Sequence, residues 1–527
     1  MNKKKDFLLI ALLIVIIVFL SVFFNKGKSF NDLCIADDWD NIIANRTLSN
    51  NELVDNIIFN GYNLLYDKSE GKWYYSLIEG DLDSFNPKVK YFSKQKVDLI
   101  FKNNINNSII ENNQNIEFIV YTDTEYKTYK LVCTTLPIMN ITYNDDEEII
   151  KDATTSMSMY LFDNRKDATN RIINSIGDIR VRGRTTTIFP KKGYKLSLTK
   201  NPSGTNIKKN NVSLLGMMQD DDWILYAGYN DQEKIRNVFS CKLWNDSCSQ
   251  DNSFNVTAGV EYKYIELFLN GKYWGLYALG YQIDEKHLGL NKNNQGYYDE
   301  FLFQKSEWRY KTNFDDLSIA YKLDSNNENR ELAFKSIKNY YETLVNSNDI
   351  DKLYSLTDIN NSIDIYLFLK LVQGRDQISR SDINNLYLLI KNNKTMYIPW
   401  DLDYTFGNDW DDNGKNKTAP YYIESSNDKY AMNYNVITYL RKLGDTNINE
   451  LLKKKYNELR NTTWSNNYIE SIINKYEKDI YDSGAFNRDK TRWSDGSYND
   501  ESVKLSEFKN FVFERLNSMD SYIQEQY

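Results

Sequence analysis

The stretch "YKYIELFLNGKYWGLYAL", Tyr262 to Leu279, places Asn270-Gly271 between two runs rich in aromatic and branched residues. Asn-Gly accepts the two positive φ angles of a type I′ turn, whose twist matches that of paired strands. The stretch therefore predicts a β-hairpin and, with it, a sheet-centred middle region. Upstream, "GDIRVRGRTTTIFPKKGYKLSL", Gly177 to Leu198, predicts two more strands joined by a polar turn. Between the two lies "NDQEKIRNVFSCKLW", where Ile235, Val238, Phe239 and Leu243 recur at helical spacing and Asn230 with Glu233 is placed as a capping box. After about residue 430, segments such as "NELLKKKYNELR" and "VKLSEFKNFVFERLNSM" predict nearly continuous helix. Strands first and helices last make an α+β core.

From 30 to 135, short runs such as "KWYYSLI" and "NIEFIVYT" alternate with Asn- and Gly-containing turns, which predicts a small β-rich accessory domain without a chemical motif. Residues 1–29 read as a cytoplasmic tip and a signal anchor. Lys3 to Lys5 precede "FLLIALLIVIIVFLSVFF", Phe7 to Phe24, about 18 apolar residues with no small-residue cleavage site behind them. With the lysines kept inside, the chain from about residue 30 is expected to be membrane-anchored and extracytoplasmic. A cleaved signal peptide is the rival reading.

The totals remove several chemistries. A net charge of −8 offers no basic field for a polyanion, so nucleic acid is not an expected partner. His287 is the only histidine, and it reads as a surface or satisfied core residue, which weakens Ser-His-Asp triads and histidine-metal centres alike. Cys34, Cys133, Cys241 and Cys248 form no CxxC pair, which argues against structural zinc; a Cys241–Cys248 disulfide stays open. What remains is chemistry by carboxylates, amides, lysines and a hard cation.

"MYIPWDLDYTFG", Met396 to Gly407, supplies the carboxylates. On an extended chain Asp401 and Asp403 would face the same side. Two ionised carboxylates about 6 Å apart repel by about 3 kcal/mol at an effective dielectric near 20. A divalent cation offsets that repulsion, and Mg²⁺ commonly takes one or two carboxylates with substrate phosphate. The plainer alternative is one aspartate capping a turn and the other in water. Upstream, "GRDQISRSDINNLYLLI" carries Asp376, Asp382, Asn384 and Asn385. An aspartate, an amide, a strand and a further aspartate is the order of protein-kinase-type phosphotransfer, in which the first aspartate orients or deprotonates the acceptor hydroxyl and the others hold metal. A polar loop before a strand is the plainer reading.

The hairpin Gly177–Leu198 offers the opposite charge. Arg182, Gly183, Thr185 and Thr186 lie on the strand end and turn, and Lys191, Lys192 and Lys195 on the return. Such a turn presents amides, hydroxyls and an ammonium to phosphates, although no Walker loop is present. A solvated basic edge accounts for it equally well. Glu233 is a candidate partner for the strand lysine, or only half of the capping box.

In this order, "LPIMNITY", "IRVRGRTTTIFPKKGYKLSL", "YNDQEKIRN", "IELFLNGKYWGLYAL", "NNLYLLI" and "IPWDLDYTFG" resemble the spore-coat protein H (CotH) family of atypical bacterial protein kinases, over residues 136–527. The resemblance implies a divergent protein-kinase-like core that binds ATP with Mg²⁺ or Mn²⁺. It also implies transfer of phosphate to serine of secreted or spore-coat proteins, the kinase itself included. By position, Lys195, or else Lys192, resembles the lysine that meets the nucleotide phosphates, Asp376 the catalytic aspartate, Asn385 the metal-holding amide, and Asp401 with Asp403 the metal-binding end. The chain departs from the family pattern at Arg184, where Asn is common, and at Gln282, where glutamate is frequent. It also departs in the nine-residue interval from Asp376 to Asn385, where about five is usual. A catalytically silent scaffold or surface-binding protein is the second reading. A glycosidase with paired carboxylates is a weaker third, because Asp401 and Asp403 are too close in sequence to span a sugar comfortably.

Overall fold

In the computed structural model, the described residues are 23–24, 27–34, 39–80, 85–106, 110, 115–201, 207–290, 300–305, 321–323, 330–378, 385–408, 418–423, 432, 434–494 and 504–527. The fold is α+β. Its middle is a closed seven-stranded barrel with neighbour order Ile138–Tyr143, Thr155–Phe162, Ile172–Arg182, Gly193–Thr199, Asp222–Tyr226, Lys272–Tyr281 and Tyr262–Leu269. The first and last strands close it in parallel, whereas the other pairings are antiparallel. Closure leaves no strand edge to aggregate. The expected hairpin forms, with Asn270 at φ 50° and Gly271 at φ 74°.

Alternation decides which side chains fill the barrel. Ile179, Val181, Tyr194, Leu196, Leu198, Trp223 and Leu225 are buried together inside. The intervening Arg180, Arg182 and Lys195 therefore lie on the outer face. Arg180 is paired with Lys195 and Arg182 with Gly193, so the three cationic residues share one patch of that face.

Below the barrel a large core gathers the remaining helices around the hairpin Leu386–Lys391 and Lys394–Pro399. Helices do not simply follow strands. Arg330–Asn346, Ile350–Leu356 and Ile359–Val372 precede that hairpin. The helix Ile359–Val372 is buried on every side from Asn361 to Val372. A helix enclosed all round shows no amphipathic period, and so leaves no mark in the hydrophobic pattern. The helices expected after residue 430 form, ending with Leu505–Gln526.

The capping box does not form. The helix starts at Arg236, and its N-cap residue Ile235 makes no side-chain cap bond. Asp231 instead accepts from the Arg236 backbone N–H at 2.6 Å and pairs with the Arg236 guanidinium at 2.6 Å. Glu233 also pairs with Arg236. Glu233 therefore serves neither as a cap nor as partner of the strand lysine.

Two further sheets, built from strands between Phe23 and Thr134, have their own core. They join the barrel through Tyr74, Val132, Ile138, Phe268 and Tyr273, which pack together. The apolar run Phe7–Phe24 lies outside the described residues except for Phe23–Phe24, which pair with Phe92 and Ser93. Among the described residues no helix is long and apolar enough to cross a membrane. All four cysteines are free thiols, so Cys241 and Cys248 are not bridged.

Candidate active site

The hairpin Leu386–Pro399 places the candidate residues. Its first strand starts just after Asn385 and its second ends just before Trp400, and the Trp400 N–H donates to the Asn385 carbonyl at 3.0 Å. Residues 15 or more apart in sequence are thereby side by side. Asn385 then reaches back, its Nδ2 donating to Asp376 Oδ2 at 2.9 Å. The nine-residue interval between these two thus still leaves them in contact. Asp382 and Asn384 lie outside the described residues.

Asp401 is not in a strand. Its φ is +57°, and that of Asn385 is +51°, so both occupy the left-handed region. Such backbone costs about 1–3 kcal/mol for residues other than glycine and persists where neighbours over-determine it. Here the neighbours are amides. Gln377 Nε2 donates to the Trp400 and Asp401 carbonyls at 3.1 and 3.3 Å, and Leu402 N–H donates to Asn237 Oδ1 at 2.8 Å. Asn408 Nδ2 donates to the Asp403 carbonyl at 2.9 Å. The extended-chain argument for Asp401 and Asp403 is therefore replaced by a loop pinned from three sides.

Asp403 is buried, and its Oδ2 accepts from Asn230 Nδ2 at 2.6 Å. Burial pushes its carboxyl well above the usual range, and the charge of Asp401 pushes it further. Burial raises the Asp401 carboxyl too, opposed by the positive charge of Arg182. The Arg182 guanidinium lies 5.4 Å from the centre of the Trp400 ring, so the outer face of the barrel meets the acidic loop here. Asn230 is a site residue that sequence reasoning assigned to a helix cap. Asn237 and Gln377 left no signal, since amides at buried positions carry no motif.

The basic turn has three parts. Gly183 has φ +104°, and a Cβ there would come 2.1 Å from Thr186 Oγ1, so only glycine fits. Thr185 to Ile188 form one 3-10 turn; the side chain of Thr185 lies outside the described set. Lys192 Nζ donates to the Thr187 carbonyl at 2.6 Å, which ties its ammonium to the turn. Lys191 points away, buried against Asp489. Lys195 meets Asp222 and Gln282.

Asn385, Asp401 and Asp403 offer oxygen donors only, a set that suits Mg²⁺ or Mn²⁺ and not a thiophilic metal. Two carboxyls pushed upward by burial, Asp403 also by the charge of Asp401, are what a divalent cation relieves. A different group, Asp220, Asp284 and His287, has the mutual spacing of metal ligands. The ammonium of Lys286, within 3.3 Å of Asp284 and bonded to Asp220 and Asp221, already serves there as the cation. His287 is a buried histidine whose Nδ1 lies 2.8 Å from Asp284 Oδ1, while its Nε2, 3.3 Å from Asp220 Oδ2, makes no hydrogen bond among the described residues, so the expectation of a satisfied core residue is met on one side of the ring only.

Raised carboxyls make a metal test with a definite sign. A carboxyl whose folded value exceeds its unfolded one stabilises the fold at low pH, and that contribution is lost as pH rises through the folded value. The metal-free protein should accordingly melt progressively lower as pH rises from about 5 to 8. Added Mg²⁺ or Mn²⁺ should restore more at pH 8 than at pH 5.5. Thermal melts with and without metal at both pH values check this, and an equal metal increment at both would contradict it.

An α+β chain with clustered oxygen donors beside a basic barrel edge has the makings of a phosphotransferase. A family model described as CotH kinase protein matches residues 179–519, well over half of the chain. The protein belongs to the CotH kinase family, and a kinase-like function follows from that membership. No curated protein matches the chain.

Proposed function

We propose that this protein is an atypical serine kinase that transfers the ATP γ-phosphate to extracytoplasmic or spore-coat proteins and to itself. The observation that carries this reading is the joining of Asp376, Asn385, Asp401 and Asp403 by one hairpin, under the cationic outer face of the barrel. In this reading the core is a divergent protein-kinase-like fold, with the barrel above and the helices below the nucleotide.

Asp376 accepts the proton of the serine hydroxyl, and the amide of Asn385 holds its Oδ2 in place. That bond uses the Asn385 nitrogen and leaves its oxygen for a cation. Asn385, Asp401 and Asp403 would hold Mg²⁺ or Mn²⁺, and such a cation would supply positive charge to offset that of the transferred phosphate. Lys195 and Arg182 supply positive charge from the barrel, and Gly183, Thr185, Thr186 and Lys192 form the turn over the phosphates. Lys195, which pairs with Arg180 across the strands on the cationic face, is taken as the lysine that reaches the nucleotide. The apolar run from Phe7 up to the Phe23–Phe24 strand anchors the chain, so substrates are met outside the cytoplasm.

Full-length protein in detergent, given γ-³²P-ATP with Mg²⁺ or Mn²⁺, should label itself on serine. Phosphoamino-acid analysis reads the acceptor. Absence of protein label under both metals, with nucleotide still bound, would leave the scaffold reading.

A further inference from the structure

Lys195 is held by two groups that do not belong to the acidic loop. Its Nζ lies 3.1 Å from Asp222 Oδ2 and 3.3 Å from Gln282 Oε1. Asp222 is itself oriented. Its Oδ1 accepts from Ser197 Oγ at 2.6 Å, and its backbone N–H donates to Asp220 Oδ1 at 3.1 Å. Asp220 is fully enclosed and forms the centre of a packed cluster. Lys286 bonds to Asp220 and to Asp221, the latter at 2.7 Å, and His287 Nε2 stands 3.3 Å from Asp220 Oδ2. The imidazole is stacked on Tyr281 with ring centres 4.4 Å apart. The cluster thus staples segment 220–222 to segment 281–287, and each segment contributes one partner of Lys195.

Among the described residues, Asp222 is the only carboxylate paired with Lys195. Glu233, the helix-side carboxylate, is committed to Arg236. Gln282 offers an oxygen without charge. A free lysine side chain loses rotamer entropy when it is confined. A carboxylate on a rigid strand confines it before the ligand arrives, so less is lost on binding.

We propose that Asp222 is the positioning carboxylate of Lys195, with Gln282 as a neutral second rest, and that the Asp220–Asp284–Lys286–His287 cluster sets the place of both. This rests on the reading of Lys195 as a phosphate-contacting lysine. Asp222 acts through Lys195 and touches no reacting atom.

A double-mutant cycle tests it. In the full-length protein, Asp222→Asn should raise the KM for ATP about tenfold, with a smaller change in kcat. In a Lys195→Met background the same change should add nothing. Gln282→Glu should recover most of the loss caused by Asp222→Asn, because it returns a carboxylate to the same ammonium. Melting temperatures of all variants should agree closely. An equal effect of Asp222→Asn with and without Lys195 would overturn the proposal, as would no effect at all in a protein that binds ATP. A second readout is independent of nucleotide. Acylation of Lys195 by a mild reagent, followed by mass spectrometry, should be severalfold faster in Asp222→Asn. If the wild type binds no nucleotide, the kinase reading falls; if acylation is also unchanged, the Asp222 contact falls separately.

Discussion

Asp401→Asn is expected to lower phosphate transfer by roughly two to three orders of magnitude, the usual cost of removing one group that stabilises transition-state charge. The same substitution should leave the metal-free protein as stable as before or more so. Asparagine keeps the size of aspartate and tolerates the left-handed backbone at φ +57°. It also removes the charge that pushes the Asp403 carboxyl upward. Loss of activity together with an unchanged or raised melting temperature separates a site residue from a folding residue. Measurement of ³²P transfer and a thermal melt on one preparation suffice. A variant that retains half its activity would remove Asp401 from the site.

The largest stability effect is expected away from the acidic loop, where the helix Ala485–Arg492 grips the barrel. Lys191 Nζ lies 2.7 Å from Asp489 Oδ1 and donates to the Leu276 carbonyl at 2.6 Å, with both side chains fully buried. Asp489 Oδ1 also accepts the Leu276 N–H at 2.9 Å. Burial pushes the Lys191 ammonium down to about 8, against the pull of Asp489, so at pH 7 it is still mostly charged. Lys191→Met should cost about 3–5 kcal/mol, because it leaves the Asp489 charge enclosed without a partner. Adding Asp489→Asn should return most of that, since the amide oxygen still accepts from Leu276 and no charge remains. Urea unfolding of the two variants measures the difference. A double variant as unstable as the single one would show that packing around the Lys191 stem, and not the stranded charge, carries the effect.

Local signals were sufficient for part of the fold and part of the site. Asn270-Gly271 announces its hairpin because a type I′ turn depends on two neighbouring residues alone. Asp376, Asn385, Asp401 and Asp403 stand out because an aspartate, an amide, a strand and an aspartate follow in order. The resemblance to CotH kinases rests on such short segments, and the family match over 179–519 agrees with it. The buried helix Ile359–Val372 escaped notice because it has no polar face. The capping box at Asn230 and Glu233 misled for the opposite reason. Its spacing is correct, but buried Arg236 draws Asp231 and Glu233 to itself, and Asn230 is left to reach Asp403.

By its sequence alone this chain is an α+β protein with one histidine, an acidic balance and a carboxylate-amide order suited to a hard cation. Those properties depend on composition and on neighbours along the chain. Tertiary structure alone decided that the barrel closes, that Asn385 meets Asp376, that Arg182 lies by Trp400, and that Lys195 rests on Asp222. Each of these joins residues from different segments, and buried charges choose partners by the space and dielectric that packing leaves them. Spacing along the chain carries no record of that choice.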